Sequence, residues 1–285
     1  MYIKIFALEA LVYRTANAID LLRHDKVAQG RPYMRSKTEA LKDFSIECAI
    51  AKVYGSEVQD YIVDEGLQVY GGMGYSTEAP MERLYRSVRI SRIFEGTNEI
   101  NRLLIVKEFL KKGLKGELDL FTPLTACLDW LEKNEGGDYG SSPWSELLTI
   151  VAHLKSLTLV VAGVTAQKFL QELEEEQEIV THIANLLIEI YALESAVLRV
   201  RKLKNDPNLE AKAIHMDVLH ALAFETSSRM EASVKALMFS FDDPEDAVQI
   251  KNALAAYSTV PHRNIKKHKR AVANYFIAET RYTLG

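Results

Sequence analysis

Helical spacing of apolar residues runs through almost the whole chain, and no stretch reads as a series of strands. Between residues 2 and 29, Ile5, Leu8, Leu11, Val12, Thr15, Ile19 and Leu22 recur at the intervals of one buried helix face. Gly30-Arg31-Pro32 breaks that run. A second periodic segment over 37–69 carries Leu41, Phe44, Ala49, Val53, Val58, Ile62 and Leu67. Gly71, Gly72 and Gly74 end it, each read as a residue free to take positive φ. Pro80 suits the first turn of a short helix over about 80–91, with Ser76 and Thr77 as capping candidates. A further helix is expected from Thr97 to about Lys112, with Lys107, Lys111 and Lys112 at the negative end of its dipole. The expected fold is all-α.

Gly113 to Gly116 reads as a boundary, dividing a helical domain over 1–116 from a second over 117–285. The 285 residues suffice for two modest domains. Beyond the boundary, helices are expected over 119–134, 144–174, 177–203, 209–240, 244–257 and 263–283, with loops at 134–143 and 205–207. That pattern describes an antiparallel bundle. The net charge of −4 argues against a nucleic-acid footprint. Cys48 and Cys127 match no metal spacing and read as reduced core thiols. The first residues lack a basic leader, and Glu9 interrupts their apolar run, so they do not read as a signal peptide. No apolar run is expected to reach the ~20 residues of a membrane span.

Two segments stand out as carriers of chemistry. In Arg92-Ile-Phe-Glu-Gly-Thr-Asn-Glu-Ile-Asn-Arg102, Glu95 lies directly before a helix start. Beside Ile93 and Phe94 it is either a desolvated carboxylate with a pKa raised toward that of a general base, or a solvated acid favoured by the helix dipole. Thr97 is the N-cap candidate and Glu99 stands in the first turn. A helix N-terminus also attracts anionic ligands. Gln68-Val-Tyr-Gly-Gly-Met-Gly-Tyr75 follows a helix rather than a strand, so it is not a dinucleotide fingerprint. It reads either as a glycine-terminated helix or as bare backbone open to a phosphate. Arg83, Arg86, Arg89 and Arg92 form a basic face on a short helix, and His262 to Arg270 is a denser basic run that suits anionic lipid or an acidic partner. The acidic run Glu172 to Glu178 reads as a helix end and exposed loop. No metal-ligand set is expected.

Taken together, Ala51-Lys-Val-Tyr-Gly-Ser56, Gln68-Val-Tyr-Gly-Gly-Met-Gly-Tyr75 and Arg92-Ile-Phe-Glu-Gly-Thr-Asn-Glu-Ile100 resemble the C-terminal helical domain of the acyl-CoA dehydrogenases. The resemblance covers roughly residues 1–115. Phe-Glu-Gly-Thr-Asn, with a helical extension behind it, is similar to the very-long-chain branch. It implies removal of the pro-R α-proton of an acyl-CoA thioester, with the β-hydride passing to FAD to leave a trans-2-enoyl-CoA. Glu95 would be the base, its backbone N–H would help polarise the thioester carbonyl, and Gly96 would lie against the substrate. Thr97 and Glu99 fall at FAD contacts. Gln68, Gly71 and Gly72 fall where the family touches the ADP half, usually of a neighbouring subunit's FAD.

Residues 21–44 depart from the family by being longer and more charged than its usual connection. Ser87 replaces a common aspartate after Arg86, so a local ion pair is expected to be missing. The N-terminal helical domain and central β-domain of such an enzyme have no counterpart in this sequence. The chain is therefore expected to be a C-terminal fragment, inactive alone and unable to retain FAD. The resemblance further implies electron-transfer flavoprotein as acceptor, a homodimer in the complete enzyme, and a cytoplasmic or mitochondrial-matrix setting. Residues 117–285 offer peripheral membrane contact. Rival readings are a non-catalytic helical module for dimerisation or docking, and an acyl-CoA oxidase.

Overall fold

The structure is a computed structural model describing residues 1–133, 142–169, 172–173, 175–206 and 212–284. The expected loop at 134–141, and parts of the expected helix ends at 170–174 and 207–211, lie outside the described residues. Helices dominate what is described: α1 (Tyr2–Ala28), α2 (Tyr33–Asp43), α3 (Ser45–Tyr70), α4 (Pro80–Arg89) and α5 (Asn98–Leu114), then α6 (Phe121–Lys133), α7 (Pro143–Phe169), α8 (Gln177–Asn205), α9 (Ala213–Met238), α10 (Val248–Tyr257) and α11 (Ile265–Glu279). The chain divides into two units, Met1–Glu108 and Phe109–Gly285, the division falling inside α5.

In the first unit, α1 and α3 bury Phe6, Ala7, Ala10 and Leu11 with Ala49, Ile50, Val53, Tyr54 and Val58. Of the residues expected to face the core, Leu11, Thr15, Ala49, Val53 and Val58 do so, whereas Val12 and Leu41 are exposed. The second periodic segment is two helices, broken at Phe44 (φ −99°, ψ 25°). The Phe44 N–H still bonds to the Ala40 carbonyl, and the Phe44 carbonyl still accepts from Cys48. The turn costs little hydrogen bonding, and no glycine or proline marks it. The charged stretch before it becomes a network: Lys26, Arg31 and Arg35 converge on Glu39, and Lys26 also meets Asp43 at 3.0 Å. Hydrogen bonds from Arg35 and then Arg31 hold the Glu39 carboxyl down at about 2. Cys48 is half-buried rather than a core thiol, and burial pushes its pKa up.

The second unit is a helical bundle with its own core. Leu147, Leu154 and Leu157 of α7, Ile183, Leu186 and Leu193 of α8, and Val218, Leu219 and Leu222 of α9 are fully or almost fully buried. Contrary to the sequence reading, α7 is long and apolar enough, by length and composition, to cross a membrane. Half of its apolar window is buried, as befits the central helix of a bundle packed on α6, α8 and α10. The basic run 262–270 is also less free than its sequence suggests. Arg263 makes a two-pronged pair with Glu146 at 2.7 and 2.6 Å, His268 meets Asp217 at 2.7 Å and Lys269 meets Glu225 at 2.6 Å. Lys266, Lys267 and Arg270 alone of the run's Lys and Arg residues have no ion pair among the described residues.

His220 lies beside this cluster, 6% exposed, its ring 5.1 Å from that of His268 and its Nδ1 4.0 Å from Glu146. Burial first, then the charges of Arg263 and His268, lower its pKa to about 4 against the opposing pull of Glu146 and Asp217. Its ordinary value is 6.5, so between the two the unfolded chain binds the proton more readily than the folded unit. Stability from this group is complete above the ordinary value and is lost as pH falls through the window toward about 4. Urea unfolding of the second unit should therefore show a midpoint that drops over that window, with a shallower drop in His220→Leu. Equal pH slopes in the two proteins would contradict the assignment.

Candidate functional site

The site is built on α3. After Tyr70 the chain reverses through a tight 3-10 turn, Gly71–Tyr75, and α4 returns antiparallel along α3. The register is fixed by side chains: Gly66 faces Met81, Asp60 accepts from Arg92 at 3.0 Å, and Ser56 meets Asn98. Pro80 opens α4 as expected, but its N-cap is Ala79. The Ser76 hydroxyl instead accepts from the Glu78 N–H. Ser87 bonds back to the Arg83 carbonyl, and Arg86 finds Glu82 one turn earlier. The ion pair thought missing with the aspartate is thus replaced within the helix.

Between α4 and α5 the backbone takes two successive left-handed conformations, Glu95 (φ 55°) and Gly96 (φ 82°). For glycine this is free, whereas for a glutamate it costs roughly 1–3 kcal/mol and persists only where surrounding contacts enforce it. Those contacts come from α3 and α5. The Gly96 carbonyl accepts from Lys52 Nζ at 2.7 Å and from Asn101 Nδ2 at 2.8 Å. The Thr97 carbonyl accepts from the Asn101 N–H at 2.9 Å and from its side chain at 3.0 Å. Asn98 is 1% exposed. Its amide oxygen takes a second hydrogen bond from Lys52 at 2.7 Å, and its amide nitrogen donates to Ser56 at 2.9 Å and Glu57 at 3.2 Å. Arg102 in turn holds Glu57 at 2.8 Å.

Thr97 caps α5 as its sequence suggests, accepting from the Ile100 N–H at 3.2 Å. Glu99 stands in the first turn with its pKa lowered, chiefly by its own backbone N–H and then by the Thr97 hydroxyl. Glu95 itself is exposed, with Ile93 48% and Phe94 51% exposed beside it. Of the two settings left open for it, this chain by itself provides the solvated one, because the turn projects the segment outward and nothing among the described residues covers it.

At the other end of α3, Gln68, Gly71 and Gly72 are exposed. Only Gly71 of the three glycines has positive φ (61°), so the reading of all three as left-handed is corrected. Gly72 faces open space, while a Cβ on Gly74 would stand 2.7 Å from the Leu67 carbonyl oxygen. Gly74 is there for close approach, not for its φ. The two sets of candidate residues are not brought together. Lys52 and Gln68 are sixteen residues apart on one continuous helix, about 24 Å at 1.5 Å per residue. Glu95, Gly96, Thr97 and Glu99 gather at one end, and Gln68, Gly71 and Gly72 at the other.

Sequence reasoning picked out the Lys52–Ser56 motif and the Asn98 motif but assigned no role to Lys52, Ser56, Asn98 or Asn101. Their spacing shows Lys52 and Ser56 on one helix face; that this face meets Asn98 emerges only from the fold.

A family model described as "Acyl-CoA dehydrogenase, C-terminal domain" matches residues 1–110, and another of the same description matches 153–253. A probable acyl-CoA dehydrogenase of Bacillus subtilis is 36% identical over 282 residues, 99% of this chain and 47% of that protein. The very long-chain specific acyl-CoA dehydrogenase of rat mitochondria is 41% identical over 116 residues, 40% of this chain and 16% of the relative. Among solved structures, the acyl-CoA dehydrogenase of Bacillus anthracis complexed with FAD matches all of this chain and 48% of its own, with a TM-score of 0.90 at 34% identity. The chain belongs to the acyl-CoA dehydrogenase family and corresponds to its C-terminal portion. It spans about half the length of the Bacillus proteins it matches.

The glycine turn gives a direct check on these local assignments. Gly74→Ala should destabilise the first unit by about 1–3 kcal/mol through the clash with backbone, whereas Gly72→Ala should stay within about 0.5 kcal/mol. Chemical denaturation of the two variants measures both, and equal costs would refute the distinction.

Proposed function

We propose that this chain supplies the base-bearing part of a FAD-dependent acyl-CoA dehydrogenase, with Glu95 removing the α-proton of the thioester. The observation that carries the reading is the Glu95–Gly96 turn. The turn that carries this left-handed glutamate is held by the side chains of Lys52 on α3 and Asn101 on α5, with Asn98 bracing Lys52, while the Glu95 carboxylate has no hydrogen bond or ion pair among the described residues. A fold that enforces unfavourable backbone and leaves the side chain open supports a working role for it. Covering the turn with substrate and with residues outside this chain would take the Glu95 carboxylate out of water, the setting in which a carboxylate works as a general base. The Glu95 N–H is offered to the thioester carbonyl, stabilising the charge that develops as the α-proton leaves. The bare Cα of Gly96 gives the substrate a close approach.

FAD, when bound, supplies the hydride acceptor. The residues here suit it: Thr97 and Glu99 stand at the N-terminus of α5, and Gln68 is exposed beside Gly71 and Gly72, where no side chain fills the space. Because the two sets lie about 24 Å apart along α3, we assign them to different flavins, with Gln68, Gly71 and Gly72 serving the ADP half of a partner subunit's cofactor in a homodimer. Long acyl chains as substrate rest on the likeness to the rat very long-chain enzyme, and electron-transfer flavoprotein is the acceptor that goes with that branch. The chain by itself, lacking the rest of both pockets, should be colourless and inactive even with added FAD. A yellow preparation that oxidises acyl-CoA would overturn that.

The assignment of the base is tested with this chain joined to the residues its longer relatives carry. Glu95→Gln should lower turnover by roughly 10²–10⁴-fold, and turnover close to that of the parent would sink it. Hydrogen peroxide formed without an added acceptor would favour an oxidase over a dehydrogenase. Peripheral contact of the second unit with anionic lipid rests on Lys266, Lys267 and Arg270, which have no ion pair among the described residues. Three such cations are worth about 1 kcal/mol each near a charged surface. Vesicle co-sedimentation should therefore depend on anionic lipid, weaken with salt and disappear when all three become glutamate. Binding indifferent to lipid charge would exclude this surface.

A further inference from the structure

We propose that Lys52 is a positioning residue for the Glu95–Gly96 turn, one step behind the base on which the proposed function rests. Its ammonium bridges two acceptors from the segment it holds, the Gly96 carbonyl at 2.7 Å and the Asn98 amide oxygen at 2.7 Å. Both are uncharged, so the group is not placed as half of an ion pair with the turn. The Gly96 carbonyl marks the direction of the peptide plane that follows the two left-handed residues. Fixing it fixes ψ of Gly96, and with it the course of the chain from Glu95 into α5. Asn101 holds the same carbonyl at 2.8 Å from within α5. Lys52 ties it to α3, forty-four residues earlier in the chain.

Asn98 explains why a lysine suits this position. Ser56 has one hydroxyl proton, which bonds to the Val53 carbonyl at 3.0 Å in competition with Asn98. Lys52 is the donor that satisfies the buried Asn98 oxygen whichever way Ser56 turns. An ammonium has three protons and can serve both oxygens at once. Methionine matches the length of the stem and has no donor, so Lys52→Met removes the latch with little change in packing. Arginine keeps a charged donor at the same reach.

The test uses nuclear magnetic resonance on this chain, independent of flavin or turnover. In the parent, the backbone carbon shifts and the HN–Hα coupling of Glu95 should carry the left-handed signature. Lys52→Met should move them to averaged values and speed exchange of the Asn101 side-chain amide protons at least tenfold. Signals from α1 and the melting temperature should stay in place, and Lys52→Arg should restore the turn. Unchanged Glu95 shifts in Lys52→Met would overturn the proposal. So would collapse of the whole first unit in both Lys52→Met and Lys52→Gln, which would make Lys52 a general structural residue. In a turnover-competent protein, Lys52→Met should lower kcat at least tenfold with KM for acyl-CoA within about twofold. If Glu95→Gln keeps its turnover while Lys52→Met still loosens the turn, the base assignment fails and the positioning role stands.

Discussion

The first unit depends on keeping one buried amide satisfied. Asn98 has almost no contact with solvent, yet it stands at the point where the chain, after a reversal and a short helix, rejoins α3. Leaving such a group without partners costs about 1–3 kcal/mol, so α5 can begin there only if α3 presents donors and acceptors in register. Lys52, Ser56 and Glu57 do so from little more than one helical turn. The register of α4 against α3, the position of the 92–97 segment and the left-handed geometry of Glu95 follow from that one junction. Arg92–Asp60 and Arg102–Glu57 reinforce it on either side. Both pairs are partly solvated and worth less.

α3 also sets the scale of the site. A helix is the stiffest short element available, and its rise fixes how far apart two attached features can be. The glycine turn closes one end and the Glu95 turn is fastened toward the other, so their separation is built in. A ligand that needs both kinds of contact must be long, or each end must serve a different ligand. The second unit, with a core of its own in α7, α8 and α9, can vary without disturbing that distance.

What the sequence reveals and conceals follows the range of each interaction. The helices, the stop at Gly71, Pro80 as a first-turn residue and Thr97 as a cap all arise from neighbours within a turn, and each leaves a local mark. The break at Phe44 leaves none, because hydrogen bonding runs on through it. The pairing of Glu146 with Arg263 spans 117 residues, and no pattern near either residue announces it. Read in sequence, 262–270 is therefore a uniform cationic cluster, whereas folded it is divided, with Arg263, His268 and Lys269 paired. The left-handed φ of Glu95 is likewise invisible, since nothing about a glutamate asks for it. It is imposed through Lys52, which holds the Gly96 carbonyl from forty-four residues earlier in the chain.

If Glu95 is the proposed base, two separate properties are needed of its carboxylate. Direction comes from the turn, and the turn is complete within this chain. Basicity requires removal from water, and Glu95 is exposed with two apolar neighbours exposed beside it. Ile93 and Phe94 gain nothing from solvent, and covering each of them is favourable by about 25 cal/mol per Å² of apolar surface. Any group that covered this face would gain from burying the two side chains that flank the acid, and the same closure would strip water from the carboxylate. On the proposed assignment, orientation is set by the fold of this chain, and the dry surroundings would have to come from whatever covers the turn.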